Sequence, residues 1–330
     1  MPATVLLLSS EALAASYAEP VLARLRELAG PLTIITPGEN WRAHRDQLRE
    51  AEVIFSGWGA PRMDAEFLQH APKLRAIFYA GGSVRYFITD AVWSRGIRVA
   101  TAQAINAIPV AEYAVSALLL GLKRFWHYAG VTRTTRGFPS DRPMPGAFGS
   151  VVGLVSYGAI ARLVRERLRG FELDVIVYDP FLGEEAARRD GVGKVGLDEL
   201  FARADAVSVH TPHLRETERL IGGRHFEQMK PGAFFLNTAR GEVIDEPAMI
   251  AALQRRPDLT AVLDVTAPEP PDPASPLYTL PNVVLTPHIA GSVDRECQRM
   301  GRAMVEEYER FRAGRPLRWE ITAAQIELTA

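Results

Sequence analysis

Three polar side chains could together do acid–base chemistry: Arg240, Glu269 and His288. Each follows a short apolar run (Ala233–Asn237, Thr260–Val265 and Val283–Leu285), so all three are expected at one edge of a parallel sheet. A histidine can give and take a proton near neutral pH. A carboxylate beside it fixes the ring and favours its charged form. An arginine fork grips a carboxylate through two parallel hydrogen bonds. Together the three suit proton transfer at an oxygen of a small carboxylic acid. Alone, each also fits a plainer role: Arg240 in a structural ion pair, Glu269 solvated in a proline-rich loop, His288 satisfied in a core.

The stretch that must set the frame for them is Val151–Asp179. Val151–Val155 reads as a strand buried on both faces, and Ser156–Ala161 as a turn of small residues. Ile160, Leu163, Val164 and Leu168 recur at helical spacing before Gly170, and Val175–Tyr178 is a second strand ending at Asp179. Strand, small turn, helix, strand and acid make the first unit of a dinucleotide-binding sheet. The helix start offers free N–H groups and a dipole to a pyrophosphate. Asp179, placed after the second strand, can accept from an adenosine ribose hydroxyl and would repel a 2′-phosphate, which predicts NAD rather than NADP. In the G-x-G-x-x-G/A fingerprint the chain has Ser156, Gly158 and Ala161, so serine stands where the first glycine is usual. An ordinary strand–helix–strand crossover is the bland alternative for this stretch.

A length of 330 residues predicts about two domains. A net charge of −1 gives no general pull toward nucleic acid or an anionic membrane surface. The single cysteine, Cys297, excludes an internal disulfide and suits a reducing compartment, with a buried thiol expected. Val5–Leu8 reads as a first strand rather than a signal peptide, and no apolar run reads as long enough to span a bilayer, so a cytoplasmic location and no membrane or nucleic-acid partner are expected. No metal-ligand cluster is recognisable.

The first hundred residues alternate strands (Val5–Leu8, Leu32–Ile35, Val53–Phe55, Arg75–Tyr79, Ile97–Ala100) with helices, which predicts an α/β doubly wound parallel sheet. Two loops follow strands here: Ser56–Ala60, holding Trp58, and Ala80–Arg85, holding Gly81, Gly82, Ser83 and Arg85. Their glycines leave backbone N–H groups open to a small anion, and Trp58 and Arg85 could frame a substrate or simply be surface groups. Ala107–Lys123 is a mostly apolar helix with a Val110, Ala114, Ala117, Leu118, Gly121 stripe, suited to a domain or subunit seam. The proline- and glycine-rich stretch 125–149 reads as an arm that wraps a partner subunit.

In family order, several motifs now add up. Val110-Ala111-Glu112, the Ser156–Asp179 unit, Met229–Ala233 through Asn237–Asp245, Leu263-Asp264-Val265 through Pro268-Glu269-Pro270, and Leu280–Val283 through Thr286–Gly291 resemble the D-isomer-specific 2-hydroxyacid dehydrogenase family. With the Gly81-Gly82 loop they cover Ala80 to Gly291, most of the chain. The resemblance implies two doubly wound parallel-sheet domains of Rossmann-like and flavodoxin-like type. The NAD-binding Rossmann domain, residues 102–290, would be inserted into a discontinuous substrate domain, residues 1–101 and 291–330.

It also implies hydride transfer between NAD(H) and a small 2-oxo or 2-hydroxy acid, glyoxylate- or hydroxypyruvate-like. His288 would be the proton donor and acceptor, Glu269 would hold it charged and oriented, and Arg240 would grip the substrate carboxylate. Trp58, Gly81, Gly82, Ser83 and Arg85 would complete the substrate side. Ser156, Gly158, Ala159, Ile160, Asp179, His210, Thr211, Pro212, Thr238, Asp264, His288 and Gly291 would line the cofactor, with Asp264 on the nicotinamide carboxamide. A homodimer through the cofactor domain is implied as well. Two departures stand out: Ser156, and the absence of an acid shortly after Gly81-Gly82, where Arg85 stands instead. A cation there would favour a substrate with a second negative group. The alternatives are a non-catalytic NAD(H)-binding regulator of the corepressor kind and a dehydrogenase of another small anion.

Overall fold

The computed structural model describes residues 2–36 and 38–326. Its strands are β1 (Thr4–Leu7), β2 (Leu32–Ile35), β3 (Val53–Ser56), β4 (Ala76–Tyr79), β5 (Arg98–Thr101), β6 (Val151–Val155), β7 (Asp174–Tyr178), β8 (Gly193–Lys194), β9 (Ala206–Val209), β10 (Phe234–Asn237), β11 (Thr260–Leu263), β12 (Val283–Leu285) and β13 (Glu320–Ile321). The chain separates into two compact units, Met1–Asn106 with Ser292–Ala330 and, between these in sequence, Ala107–Gly291.

The first unit holds a sheet ordered β2-β1-β3-β4-β5-β13. β1 to β5 run parallel and β13 returns antiparallel beside β5, with Ile321 opposite Val99. The strand order reverses between β1 and β3, the doubly wound pattern of flavodoxin-like sheets. β1, β3 and β4 are buried at every position, which is why they read as continuous apolar runs rather than alternating ones. The helix Cys297–Arg312 covers one face: Tyr308 meets Phe55 and Phe78 edge-on at 5.5 and 5.9 Å. Its Cys297 is buried, as the sequence predicts. The buried Glu307 accepts the main-chain N–H groups of Arg318 (2.8 Å) and Trp319 (3.1 Å), which leads the chain into β13.

The second unit holds an all-parallel sheet ordered β8-β7-β6-β9-β10-β11-β12. Counted from its own first strand this is the dinucleotide-binding order, with the reversal between β6 and β9. The helix Gln103–Leu122 buries Ala111, Ala114, Ala117, Leu118 and Leu122. Its Gly121 lies so close to the Phe234 ring that an added Cβ would come within 2.2 Å of it.

Two expectations need correcting. One helix, Gln103–Leu122, does pass the length and apolarity test for crossing a bilayer, but half of it is buried inside the protein, as a core helix is. The stretch after it, given no secondary structure from the sequence, begins with a helix, Phe125–Thr135. Its aromatic and β-branched residues are weak helix formers. Tertiary anchors at its start compensate, with Trp126 stacked on Phe234 at 5.3 Å and Arg124 bonded to the Asp258 carbonyl at 3.1 Å. Sequence reasoning also missed the short helices Ser10–Ser16 and Glu184–Asp190 and the two-residue β8.

Candidate active site

Arg240, Glu269 and His288 all lie past the carboxyl ends of neighbouring strands, β10, β11 and β12. The structure brings the last two into direct contact: His288 Nδ1 and Glu269 Oε1 are 2.7 Å apart. An ionised carboxylate only accepts, so Nδ1 carries the proton of that bond and Nε2 is the nitrogen left for a substrate. Both side chains are about half exposed, His288 at 50% and Glu269 at 43%.

His288 is held by the residue the sequence assigned to the nicotinamide, Asp264. This carboxylate is buried at the end of β11. Its Oδ1 accepts from the Thr286 hydroxyl (2.6 Å) and the Ile289 amide (2.9 Å), and its Oδ2 from the Ala290 amide (2.8 Å). The His288 amide donates to the Asp264 carbonyl at 3.1 Å. The loop is thus wrapped around one carboxylate, and His288 takes a left-handed φ of 53°. Tyr113 reaches the same network, 3.0 Å from the Thr286 hydroxyl. Sequence reasoning assigned Tyr113 and Thr286 no role; a tyrosine in a mostly apolar helix carries no signal of one by itself.

Arg240 follows β10 in a loop shaped by Asn237. That side chain accepts from the Ala239 amide (3.0 Å) and donates to the Arg240 carbonyl (2.9 Å). Burial lowers the Arg240 pKa, and the charges of Glu242 and Glu269 oppose that shift. The guanidinium therefore stays a cation beside the Glu269–His288 pair.

The groups expected at the cofactor also sit at strand ends. Gly158 is the N-cap of the helix Ala159–Leu168, and a Cβ there would meet nothing within 4 Å, leaving open room at the helix start. Ile160 packs against the neighbouring core. Asp179 is fixed at the end of β7 by the Tyr157 amide (2.7 Å) and the Phe181 amide (2.8 Å). Ser156 adopts φ 70°, the conformation that makes glycine usual there, and its hydroxyl lies 3.0 Å from that of Thr211 across the β6–β9 reversal. Thr211 also donates to the Val155 carbonyl (3.3 Å), and the Pro212 carbonyl accepts from Thr217 (2.6 Å). The Thr238 hydroxyl and both ring nitrogens of His210 are buried without a hydrogen-bond partner among the described residues. Open space at a helix N-terminus, a fixed carboxylate and orphaned polar atoms fit a dinucleotide with its pyrophosphate at Gly158 and its ribose at Asp179. Gly291 closes the loop that carries His288.

On the first unit, Trp58 follows β3 and is 42% exposed. Gly81 to Arg85 follow β4. Gly81 must be glycine, since a Cβ would fall 2.5 Å from the Tyr79 ring, and its amide already donates to the Tyr79 carbonyl at 2.9 Å. Ser83 Oγ accepts weakly from the Arg85 amide at 3.4 Å, and the Arg85 side chain is exposed.

Burial pushes the His210 imidazole from its usual 6.5 down to about 3. Between those values the unfolded chain binds a proton that the folded chain refuses, so stability falls as pH drops below about 6.5. We expect an added slope approaching about 1.4 kcal/mol per pH unit in the wild type, missing from His210→Asn. Urea unfolding between pH 7 and 5 measures it; parallel curves for the two proteins would remove His210 as the cause.

Residues 116–290 match the sequence model of the D-isomer specific 2-hydroxyacid dehydrogenase, NAD binding domain. The chain is 34% identical over 272 residues to the D-3-phosphoglycerate dehydrogenase of Archaeoglobus fulgidus, a match covering 81% of this chain and 50% of the other. It spans about half the length of the D-3-phosphoglycerate dehydrogenases it matches. It is 32% identical over 274 residues to the glyoxylate reductase of Korarchaeum cryptofilum, covering 82% of each. Among solved structures, the D-mandelate dehydrogenase of Rhodotorula graminis superposes with a TM-score of 0.79 at 25% identity, covering 98% of each chain. NAD is the cofactor of the matched domain. From fold, site and relatives alike, the chain belongs to the D-isomer-specific 2-hydroxyacid dehydrogenase family.

Proposed function

We propose that this protein is an NAD-dependent dehydrogenase that interconverts a small 2-oxo acid and its 2-hydroxy acid. The observation that carries the reading is the 2.7 Å His288–Glu269 pair with the partly buried Arg240 cation in its field. Bound NADH would supply the hydride for the carbonyl carbon. His288 Nε2 gives its proton to the carbonyl oxygen in that direction and takes it back from the hydroxyl in the other. Glu269 stabilises the imidazolium and keeps the ring turned. Arg240 binds the substrate carboxylate and draws electron density from the carbonyl. Gly158, Ala159 and Ile160 would hold the pyrophosphate and Asp179 the adenosine ribose, and Ser156, His210, Thr211, Pro212, Thr238 and Gly291 would line the rest of the cofactor. Asp264 holds the His288 loop and would bind the nicotinamide carboxamide.

On the substrate side we assign Trp58, Gly82, Ser83 and Arg85, with Gly81 allowing the turn. Substrates of the glyoxylate or hydroxypyruvate kind suit so small a set. Arg85 adds a preference for a second negative group. The names of two relatives frame this choice: D-3-phosphoglycerate carries a second anion, and glyoxylate does not. Pairing as a homodimer through the second unit completes the proposal. It is supported by the exposed apolar residues Leu120, Phe125, Phe138, Met144 and Phe148, all within one stretch of the chain from residue 120 to 148.

NADH oxidation against a panel of 2-oxo acids, with NADPH as control, tests the activity. His288→Ala is expected to lose roughly 100- to 10,000-fold in kcat; an unimpaired variant would sink the assigned proton transfer. In the same panel Arg85→Ala should lose more kcat/KM on dianionic than on monoanionic 2-oxo acids, and equal losses would remove its selectivity role. Sedimentation at micromolar concentration should show a dimer, and a monomer there would overturn the pairing.

A further inference from the structure

Glu269 has little of its own to hold it in place. Its side chain is 43% exposed, and among the described residues its one hydrogen bond is to His288. Its position must come from the main chain of the loop that carries it. That loop begins at Asp264, whose amide donates to the Asn237 carbonyl at 3.0 Å. Two residues from the Arg240 side close on it. A Cβ at Gly241 would come within 2.1 Å of the Thr266 carbonyl carbon and 2.5 Å of the Ala267 nitrogen. Glu246 Oε2 accepts the Ala267 amide at 3.1 Å. The Thr266 hydroxyl donates to the Pro268 carbonyl at 2.8 Å and stiffens the turn between them.

Glu246 opens the helix Glu246–Arg255, which Asp245 caps by accepting the Ala248 amide at 3.2 Å. A carboxylate in a first helical turn has an ordinary structural use, since it faces the positive end of the dipole. Burial, which raises the Glu246 pKa, works against that use alone. The side chain has instead been turned inward onto a neighbouring loop.

We propose that Glu246 is a positioning residue that, with Gly241, clasps the 266–270 loop and thereby sets where Glu269 meets His288. The clasp joins the Arg240 loop to the Glu269 loop, so the anion-binding and proton-transfer groups are held as one piece. For its effect on turnover the inference rests on the dehydrogenase reading above; the clasp itself does not.

The test compares wild type, Glu246→Gln and Glu246→Ala in the intact protein. Glutamine keeps an acceptor for the Ala267 amide and removes the charge; alanine removes both. The alanine variant should lose roughly ten- to a hundredfold in kcat, the scale of a small misplacement of a reacting group, with KM for NADH unchanged. The glutamine variant should stay within about threefold of wild type, because a neutral acceptor makes a comparable hydrogen bond. Hydrogen exchange gives a second readout: Pro268 and Pro270 carry no amide, so residues 266–270 report on Thr266, Ala267 and Glu269 alone. Exchange there should quicken in the alanine variant and not in the glutamine variant. Wild-type exchange in Glu246→Ala overturns the clasp. Equal impairment of both variants overturns it too, and leaves charge at the helix start as the function. If wild type turns over no 2-oxo acid, the dehydrogenase reading fails, while the exchange comparison still decides whether Glu246 holds the loop.

Discussion

The site depends on one buried carboxylate, Asp264. A carboxylate removed from water costs several kcal/mol unless donors replace the solvent. All three side-chain partners of Asp264 come from the His288 loop: the Thr286 hydroxyl and the amides of Ile289 and Ala290. The parallel register of β11 and β12, with Leu263 beside Leu285, places the two loops side by side so that this can happen. Each such hydrogen bond to a charge contributes about 1.5–3 kcal/mol. The left-handed φ of 53° at His288 costs about 1–2 kcal/mol. The bonds outweigh the strain, so the loop adopts a conformation that histidine alone would avoid. Strain at this residue is thus a consequence of satisfying a neighbour's charge.

The same comparison explains Ser156. The dinucleotide turn demands a positive φ at its first position whichever residue stands there, and the chain has it at 70°. Serine meets that demand at a cost of about 1–2 kcal/mol that glycine avoids. Its hydroxyl gains a bond to Thr211 across the β6–β9 reversal, worth about 0.5–1.5 kcal/mol. The two effects are of similar size, so the departure from the fingerprint leaves the turn intact. Gly158, the position where a pyrophosphate comes closest, keeps its open surroundings.

Much of this was legible because strands buried on both faces read as uninterrupted apolar runs, and each run ends at its chemistry. Asp179 after β7, Arg240 after β10, Asp264 after β11 and His288 after β12 could all be placed from the sequence. The helix Phe125–Thr135 could not, because none of its residues is buried and its anchors, Phe234 and Asp258, are more than a hundred positions away. Glu246 and Tyr113 were invisible for a related reason. A glutamate at a helix start and a tyrosine in an apolar helix have ordinary local explanations. Only three-dimensional contact, with Ala267 in one case and Thr286 in the other, shows what they support.

The exposure of the His288–Glu269 pair decides how such supports matter. At 50% and 43% exposure, water weakens the attraction, and a pair of this kind contributes about 0–1 kcal/mol. The pair is therefore not what holds its two loops together. Asp264 on one side and the Gly241–Glu246 contacts on the other must do that, and they are shielded enough to do so. When a ligand displaces the water, the same 2.7 Å contact acts in a lower dielectric and strengthens several-fold. Scaffold and chemistry are thus divided between two sets of acids: the buried Asp264 and the partly buried Glu246 fix the geometry, and the more exposed Glu269 waits for the substrate to make its charge count.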